Sequence, residues 1–405
     1  MKKILILGGS REQLIAVNIA KEFGFKVAVF DGSEDAVCRK YSDEFYCFNI
    51  KDKDLLKENA IKCSPDGVLV HAAELAIEGA LISTWLGLPG ISVESARIAT
   101  EKKSRLEKFK EFGILMPEHR SITGLAAYEE WLSVSDEIGF PFVVKPNSLA
   151  GARGVQLIEN ELQMSSYFAD KDVFKSEHFI FEQYIEGEQL STESILFEGE
   201  ILHTAIAFRH YDTTKLLRPY LIEDGHSFPC EISSSLYSKI DEIVKLSAKA
   251  LGIESGVLKG DLIVDHKDSV FTIEMAARTS GGRFADTVVP MASGVNILYP
   301  LIRMAMGMSL DRDELKPKAI RGISQRFIFP QSVKSQNTLL GLTRYLQSSD
   351  VLEYYIDPLL LQGYSERTIQ CHGDRLGYII TGGKSREAAD KLALAIVRGL
   401  ETIHE

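Results

Sequence analysis

The chain has 405 residues, 45% of them apolar and 25% charged, with a net charge of −11. At roughly 150 residues per domain this suggests two or three soluble globular domains with ample core. The acidic balance argues against a nucleic-acid binder, which more often presents a basic face, but not against small anionic ligands, whose sites are local.

The N-terminal "MKKILILGGS" carries an apolar run that stops at Gly8. It is too short for the hydrophobic region of a signal peptide and reads as a first buried strand. "KILILGGS", "EQLIAVNIAKEFGF" and "KVAVFD" then read as strand, turn, helix and strand, and "DGVLVHAAE" with the helical stretch behind it repeats the scheme. Apolar strands alternating with amphipathic helices predict a parallel sheet covered on both faces over about residues 1–95. "GGSREQ" lacks the glycine spacing of a dinucleotide fingerprint, so a tight strand-to-helix turn is expected there and bound NAD is not.

"TEKKSRLEKFKEFGILMPEH" reads as a lysine-rich helix stopping at Gly113, with an extended exit through Pro117. Residues 140–158 and 178–206 read as strands around glycine turns. "SSLYSKIDEIVKLSAKALGI" is an amphipathic helix with Leu236, Ile240, Ile243, Val244, Leu246 and Leu251 on its apolar face. Residues from about 315 onward form a last α/β segment closing on the helix "SREAADKLALAIVRGLETI". No apolar segment approaches the roughly 20 residues of a membrane span. Five scattered cysteines without CxxC spacing fit free thiols and a cytoplasmic location.

"GVLKGDLIVDHKDSVFTIEMAAR" is a strand pair. A two-residue turn at Lys267-Asp268 sets Asp261 opposite Glu274 with both side chains on one face. Directly opposed like charges destabilise a strand pair unless a cation sits between them. Oxygen ligands of this kind suit Mg²⁺ held by one or two carboxylates plus substrate phosphates. Period two adds Ala276 and Arg278 to the face of Glu274, and Lys259 to that of Asp261. The other reading is a solvated face on which Lys259 and Arg278 pair the two acids.

Five stretches, "EKKSRLEKFKEFGILMP", "FPFVVKPNSLAGARGV", "FIFEQYIEGEQLSTES", "GVLKGDLIV" and "FTIEMAARTSGG", occur in this order. Together they resemble the ATP-grasp superfamily of carboxylate–amine ligases, in its amino-acid ligase-like branch. The resemblance implies an α/β ATP-grasp fold in four parts: a Rossmann-like pre-ATP-grasp domain over 1–100, a small lobe with a glycine loop over 101–190, a large lobe with the metal site over 191–314, and a C-terminal lid or extension over 315–405. It also implies a homodimer.

By position, the resemblance puts Lys102 (with Lys103 adjacent) and Lys145 at the nucleotide phosphates, with Ser148, Gly151 and Gly154 in a loop that folds over them. Arg153 in that loop reads equally as a contact or a solvated tip. Glu182 and the backbone of Gln183, Tyr184 and Ile185 fall at adenine, and Glu188 or Gln189 at ribose. Asp261 and Glu274 fall on the metal acids. Ala276 stands where the family usually has Asn, which leaves one or two Mg²⁺ ions open, with Mn²⁺ able to substitute. Arg278 and Lys145 are the implied catalytic cations. Gly281, Gly282 and Arg283 line the implied acceptor pocket, with Arg209 and Arg218 as further substrate candidates. His210 reads as a packed or surface residue, and Arg105, Lys108 and Lys110 as solvated helix charges.

The reaction so implied consumes ATP. A small carboxylic acid, an amino acid first of all, becomes an acyl phosphate and is joined to an amine, releasing ADP and phosphate. Such an enzyme takes small-molecule carboxylate and amine substrates and needs neither nucleic acid nor membrane. Two alternatives stay open: a purine-pathway-type enzyme acting on a ribonucleotide, and an ATP-binding regulator without turnover.

Overall fold

A computed structural model of the chain describes residues 1–124, 126, 128–169, 178–212, 214–316, 321–330, 348–357 and 369–402. The expected C-terminal segment therefore lies partly outside the described residues.

The first sheet contains β1 (Lys3–Leu7), β2 (Lys26–Asp31), β3 (Glu44–Cys47) and β4 (Gly67–Val70), all parallel, in the order β3-β2-β1-β4. Both faces of β1 are buried, which is why its sequence is an unbroken apolar run. Ile4 and Ile6 pack in the cluster that holds the Leu14–Glu22 helix, and Leu5 and Leu7 pack with Leu56, Ala60 and Ile82 on the other face. "GGSREQ" forms the expected tight turn: Ser10 caps the short helix Arg11–Gln13 in a capping box with Gln13. The Leu298–Ala305 helix, from far along the chain, completes the first face. Gly67 lets it approach, since a Cβ there would stand 2.3 Å from the Ala305 carbonyl oxygen.

The second sheet is antiparallel, with β5 (His119–Thr123), β6 (Phe142–Pro146), β7 (Gln156–Ile158) and β8 (His178–Gln183) in the order β5-β8-β6-β7. Its core is aromatic: Trp131, Phe142, Phe179, Phe181 and Tyr167 are buried against one another.

The third sheet has eight antiparallel strands: β9 (Glu188–Phe197), β10 (Glu200–His210), β11 (Gly225–Phe228), β12 (Gly256–Val264), β13 (Val270–Ala276), β14 (Gly322–Ile328), β15 (Val351–Ile356) and β16 (Gly377–Gly383). Their order is β13-β12-β9-β10-β11-β14-β16-β15. Strands from beyond residue 320 thus extend the sheet begun at residue 188. The expected amphipathic helix, Ser234–Leu251, is capped by the Ser233 side chain and stopped by Gly252, and it lays Leu236, Ile240, Val244 and Leu251 against this sheet. Among the described residues no helix is long and apolar enough to cross a membrane.

Candidate functional site

A cleft of about 1690 Å³ lies between the second sheet, the third sheet and the Arg11–Gln13 turn. That exceeds the roughly 300–1,000 Å³ of a single small-molecule pocket, leaving room for more than one ligand. Lys102, Lys145, Gly151, Glu182, Gln183, Tyr184, Ile185, Glu188, Gln189, Arg209, Arg218, Asp261, Glu274, Arg278, Gly281, Gly282 and Arg283 all line it. Of the expected residues, Ser148 and Gly154 do not: Ser148 is exposed, and Gly154 packs against Pro146 and accepts a hydrogen bond from the Tyr167 hydroxyl at 2.7 Å. Gly154 therefore anchors the loop rather than facing a ligand.

One wall of the cleft carries the lysines. Lys145, at the end of β6, pairs with the buried Glu182 on the adjacent β8, so that carboxylate is already engaged. Lys102, the first residue of the Lys102–Glu111 helix, donates to the carbonyls of Leu149 at 2.6 Å and Asn147 at 3.3 Å. Burial pushes its ammonium down to about 8. Lys103 does not line the cleft; its backbone N–H donates to Asn147 Oδ1 at 2.9 Å. Arg153 is exposed and turns back to the Ala150 carbonyl, while the Gly151 carbonyl accepts from the backbone of His372 at 3.0 Å.

The floor is the β12–β13 pair. Asp261 lies opposite Glu274 as expected, but the turn differs from the two-residue one. Asp265 accepts from the backbone of Lys267 and Ser269, both at 2.8 Å, and organises a longer loop. A bulge at Ile273 then restores the register. It also turns two consecutive side chains, Ile273 and Glu274, to the cleft.

Lys259 Nζ bonds Asp261 and stands 3.0 Å from Glu274 Oε2. Asp261 also receives Arg209 at 2.8 Å and the Ser191 hydroxyl at 3.2 Å. Burial alone would raise the Glu274 carboxyl; Lys259, Arg105, Arg278 and Lys102 outweigh it and hold the group well below the usual carboxylate range. Among the described residues no three His, Cys, Asp or Glu side chains converge on a metal position. The fit is thus to an ion held by two protein carboxylates with other ligands from outside the chain.

Some basic residues fall differently from expectation, and Lys108, Lys110 and His210 fall as expected. Arg105 is not a solvated helix charge: it is buried, donates to the Ala99 carbonyl at 2.9 Å and reaches within 3.9 Å of Glu274. Lys108 pairs with Glu111 on the surface and Lys110 is exposed. Arg278 does not pair with Asp261 or Glu274; it donates to Glu74 at 2.8 Å. Arg209 is closed between Asp261 and Glu223, and Arg218 is exposed and pairs with Glu159, so neither stands as an isolated cation. His210 packs on the Ser227 hydroxyl at 2.8 Å, and burial lowers its pKa to about 4.

The wall contributed by the N-terminal domain was not foreseen. Arg11 stacks over the Tyr355 ring at 3.7 Å, and Glu12 and Glu74 line the cleft beside it. Burial, then Asp286, pushes the Glu12 carboxyl up. Arg283 bonds Asp286 at 2.8 Å and Glu353 at 3.2 Å. Beneath the Ser280-Gly281 turn, the fully buried Glu193 accepts from the Ser280 N–H at 3.2 Å, and burial raises it to about 7. One signal for Glu193 was available: period two on β9 sets it on the face of Ser191, which neighbours Asp261.

Residues 138–287 match the model of the ATP-grasp domain family. A carbamoyl phosphate synthase large chain from Clostridium acetobutylicum is 26% identical over 71% of this chain, which spans about a quarter (26%) of that relative's length. A 3-methyl-D-ornithine–L-lysine ligase from Methanosarcina acetivorans is 25% identical, covering 96% of this chain and 95% of its own. Among solved structures, carboxyaminoimidazole ribonucleotide synthase from Aspergillus clavatus, complexed with ATP, superposes with a TM-score of 0.79 at 16% identity, covering 100% of this chain and 99% of that one. That likeness is one of fold.

Proposed function

We propose, from the match of residues 138–287 to the ATP-grasp domain family, that this chain is an ATP-dependent carboxylate–amine ligase acting on amino acids. The observation that carries the reading is the meeting, in one cleft, of Lys102 and Lys145 from the small lobe with Asp261, Glu274 and Arg278 from the large sheet. Lysines there suit the phosphates of ATP, and the paired carboxylates suit Mg²⁺. Mg²⁺ supplies charge neutralisation at the phosphates.

In the first step a substrate carboxylate oxygen attacks the γ-phosphorus and the bond to the β-phosphate oxygen breaks, giving an acyl phosphate and ADP. An amine nitrogen then attacks the acyl carbon, phosphate leaves, and the nitrogen loses a proton. Lys145 and Arg278 steady the moving negative charge, so catalysis is positioning and electrostatics. Lys145 reaches the phosphates by exchanging its present partner, Glu182.

The N-terminal wall favours an amino acid over a ribonucleotide. Arg11 suits a carboxylate, and Glu12 and Glu74 suit an ammonium. A phosphomonoester would meet two carboxylates in the same place. The relative named as a 3-methyl-D-ornithine–L-lysine ligase, which this chain matches almost end to end, agrees with that chemistry.

Incubation with Mg·ATP and pairs of amino acids, other small acids and amines, following ADP and phosphate, tests the proposal. ADP and phosphate released only with a carboxylate–amine pair is the expected result, and Glu274→Gln abolishes it while the far-UV spectrum is unchanged. Release of AMP and pyrophosphate would remove the acyl-phosphate route. Turnover only with an amino-ribonucleotide would move the chain to the purine-type reading, and tight ATP binding without turnover to that of a regulator.

A further inference from the structure

We propose that Lys259 is a resident cation of this site, so that the two carboxylates are built to take one divalent ion beside a protein ammonium rather than two ions. The inference rests on the nucleotide-site reading above and concerns how the chain balances charge there.

Asp261 and Glu274 stand directly opposite on neighbouring strands, a pairing that costs stability unless something positive lies between them. Lys259 is two residues before Asp261, hence on the same face, and its ammonium bonds Asp261 and reaches Glu274 at 3.0 Å. Only 10% of its side chain is exposed. Its cross-strand neighbours are Glu193 on β9 and Ala276 on β13. Of these two neighbours Ala276 offers no oxygen to a metal, and the Glu193 carboxylate is taken up by the Ser280 N–H.

Charge points the same way. Around the two acids stand Lys259, Arg209, which it shares with Glu223, and Arg105 at 3.9 Å from Glu274. One divalent ion with nucleotide phosphates can be accommodated among them. A second would add two more positive charges without a further protein carboxylate, since among the described residues no third metal-ligating side chain converges here. An ammonium is a compact point charge, and one carried on a strand has no binding entropy to lose when nucleotide arrives.

Mn²⁺ bound per chain is counted by electron paramagnetic resonance in protein saturated with a non-hydrolysable ATP analogue, whose own binding is first measured by calorimetry. Wild type is expected to hold one Mn²⁺. Lys259→Met, which keeps the stem and removes the charge, is expected to hold two, and Lys259→Arg one. Two ions in wild type, or one ion in a folded Lys259→Met variant, would overturn the proposal. The wild-type count does not depend on any variant folding, and thermal melting reports whether the variants do. Failure of wild type to bind the analogue overturns the nucleotide reading itself, and the proposal with it, and is seen before any metal is added.

Discussion

Lys102 holds its ammonium where little water reaches it, between two loop carbonyls and within the field of Glu274. Burial lowers its pKa from 10.5 to about 8. Between those values the folded chain has released the proton while the unfolded chain keeps it. The unfolded state binds more protons there, so this lysine's contribution to stability rises with pH across the window. In the proposed nucleotide site ATP affinity moves oppositely, because phosphates attract only the ammonium. Raising the pH from 7 to 9.5 should weaken ATP binding by roughly thirtyfold, from the fall in the protonated fraction of Lys102. The Lys102→Met variant should bind more weakly at pH 7 and show a flat profile. Calorimetric titration at several pH values reads both, and an equal slope in the variant would remove Lys102 from the phosphate site. Neighbouring basic residues on this helix have separate fates. Arg105 is buried at the floor of the cleft while Lys110 is exposed, and "EKKSRLEKFKE" does not distinguish them, because which side of a polar helix is covered depends on what packs on it.

The glycine loop between β6 and β7 shows how an element is set by backbone conformation. Gly151 and Gly154 both have φ near +65 to +70°, a region that costs an L-residue roughly 1–2 kcal/mol. A Cβ on Gly151 meets nothing within 4 Å, whereas one on Gly154 would stand 2.7 Å from Pro146 Cγ. Gly151→Ala should therefore cost only the conformational strain, and Gly154→Ala that strain plus about 1 kcal/mol or more of overpacking. Comparing the two by thermal melting and ATP affinity checks the order, and equal losses would contradict it. The β12–β13 pair was legible for a different reason. Period two and hairpin closure are short-range, so Asp261 against Glu274 could be placed from the chain alone. The turn could not, because the Asp265 side chain competes for its own backbone and the bulge at Ile273 compensates.

Across the whole molecule, the C-terminal segment is tied in by charge as well as by β-pairing. Arg326 on β14 is buried and bonds Asp224 and Asp212, each at 2.9 Å, and Asp390 of the Arg386–Thr402 helix at 2.8 Å. Removing one partner of a buried ionic network leaves uncompensated charge and costs about 3–5 kcal/mol. Arg326→Met should lower the midpoint of thermal unfolding by roughly 5–10 °C, and an unchanged midpoint would show that the network is energetically neutral.

From the sequence alone came the strand–helix alternation of the N-terminal domain, the helix stop at Gly113, the opposition of Asp261 and Glu274, and the five ordered stretches that resemble the ATP-grasp superfamily. Each rests on spacing within a few tens of residues or on order along the chain. The tertiary structure decided what the charges do. It gave Arg278 to Glu74, 204 residues away, set Lys259 between the two acids, closed Arg209 between Asp261 and Glu223, and brought Arg11, Glu12 and Glu74 to the far wall of the cleft. A charged side chain carries the same local signature whether it meets water, a partner or a ligand, and only the packing of distant elements determines which.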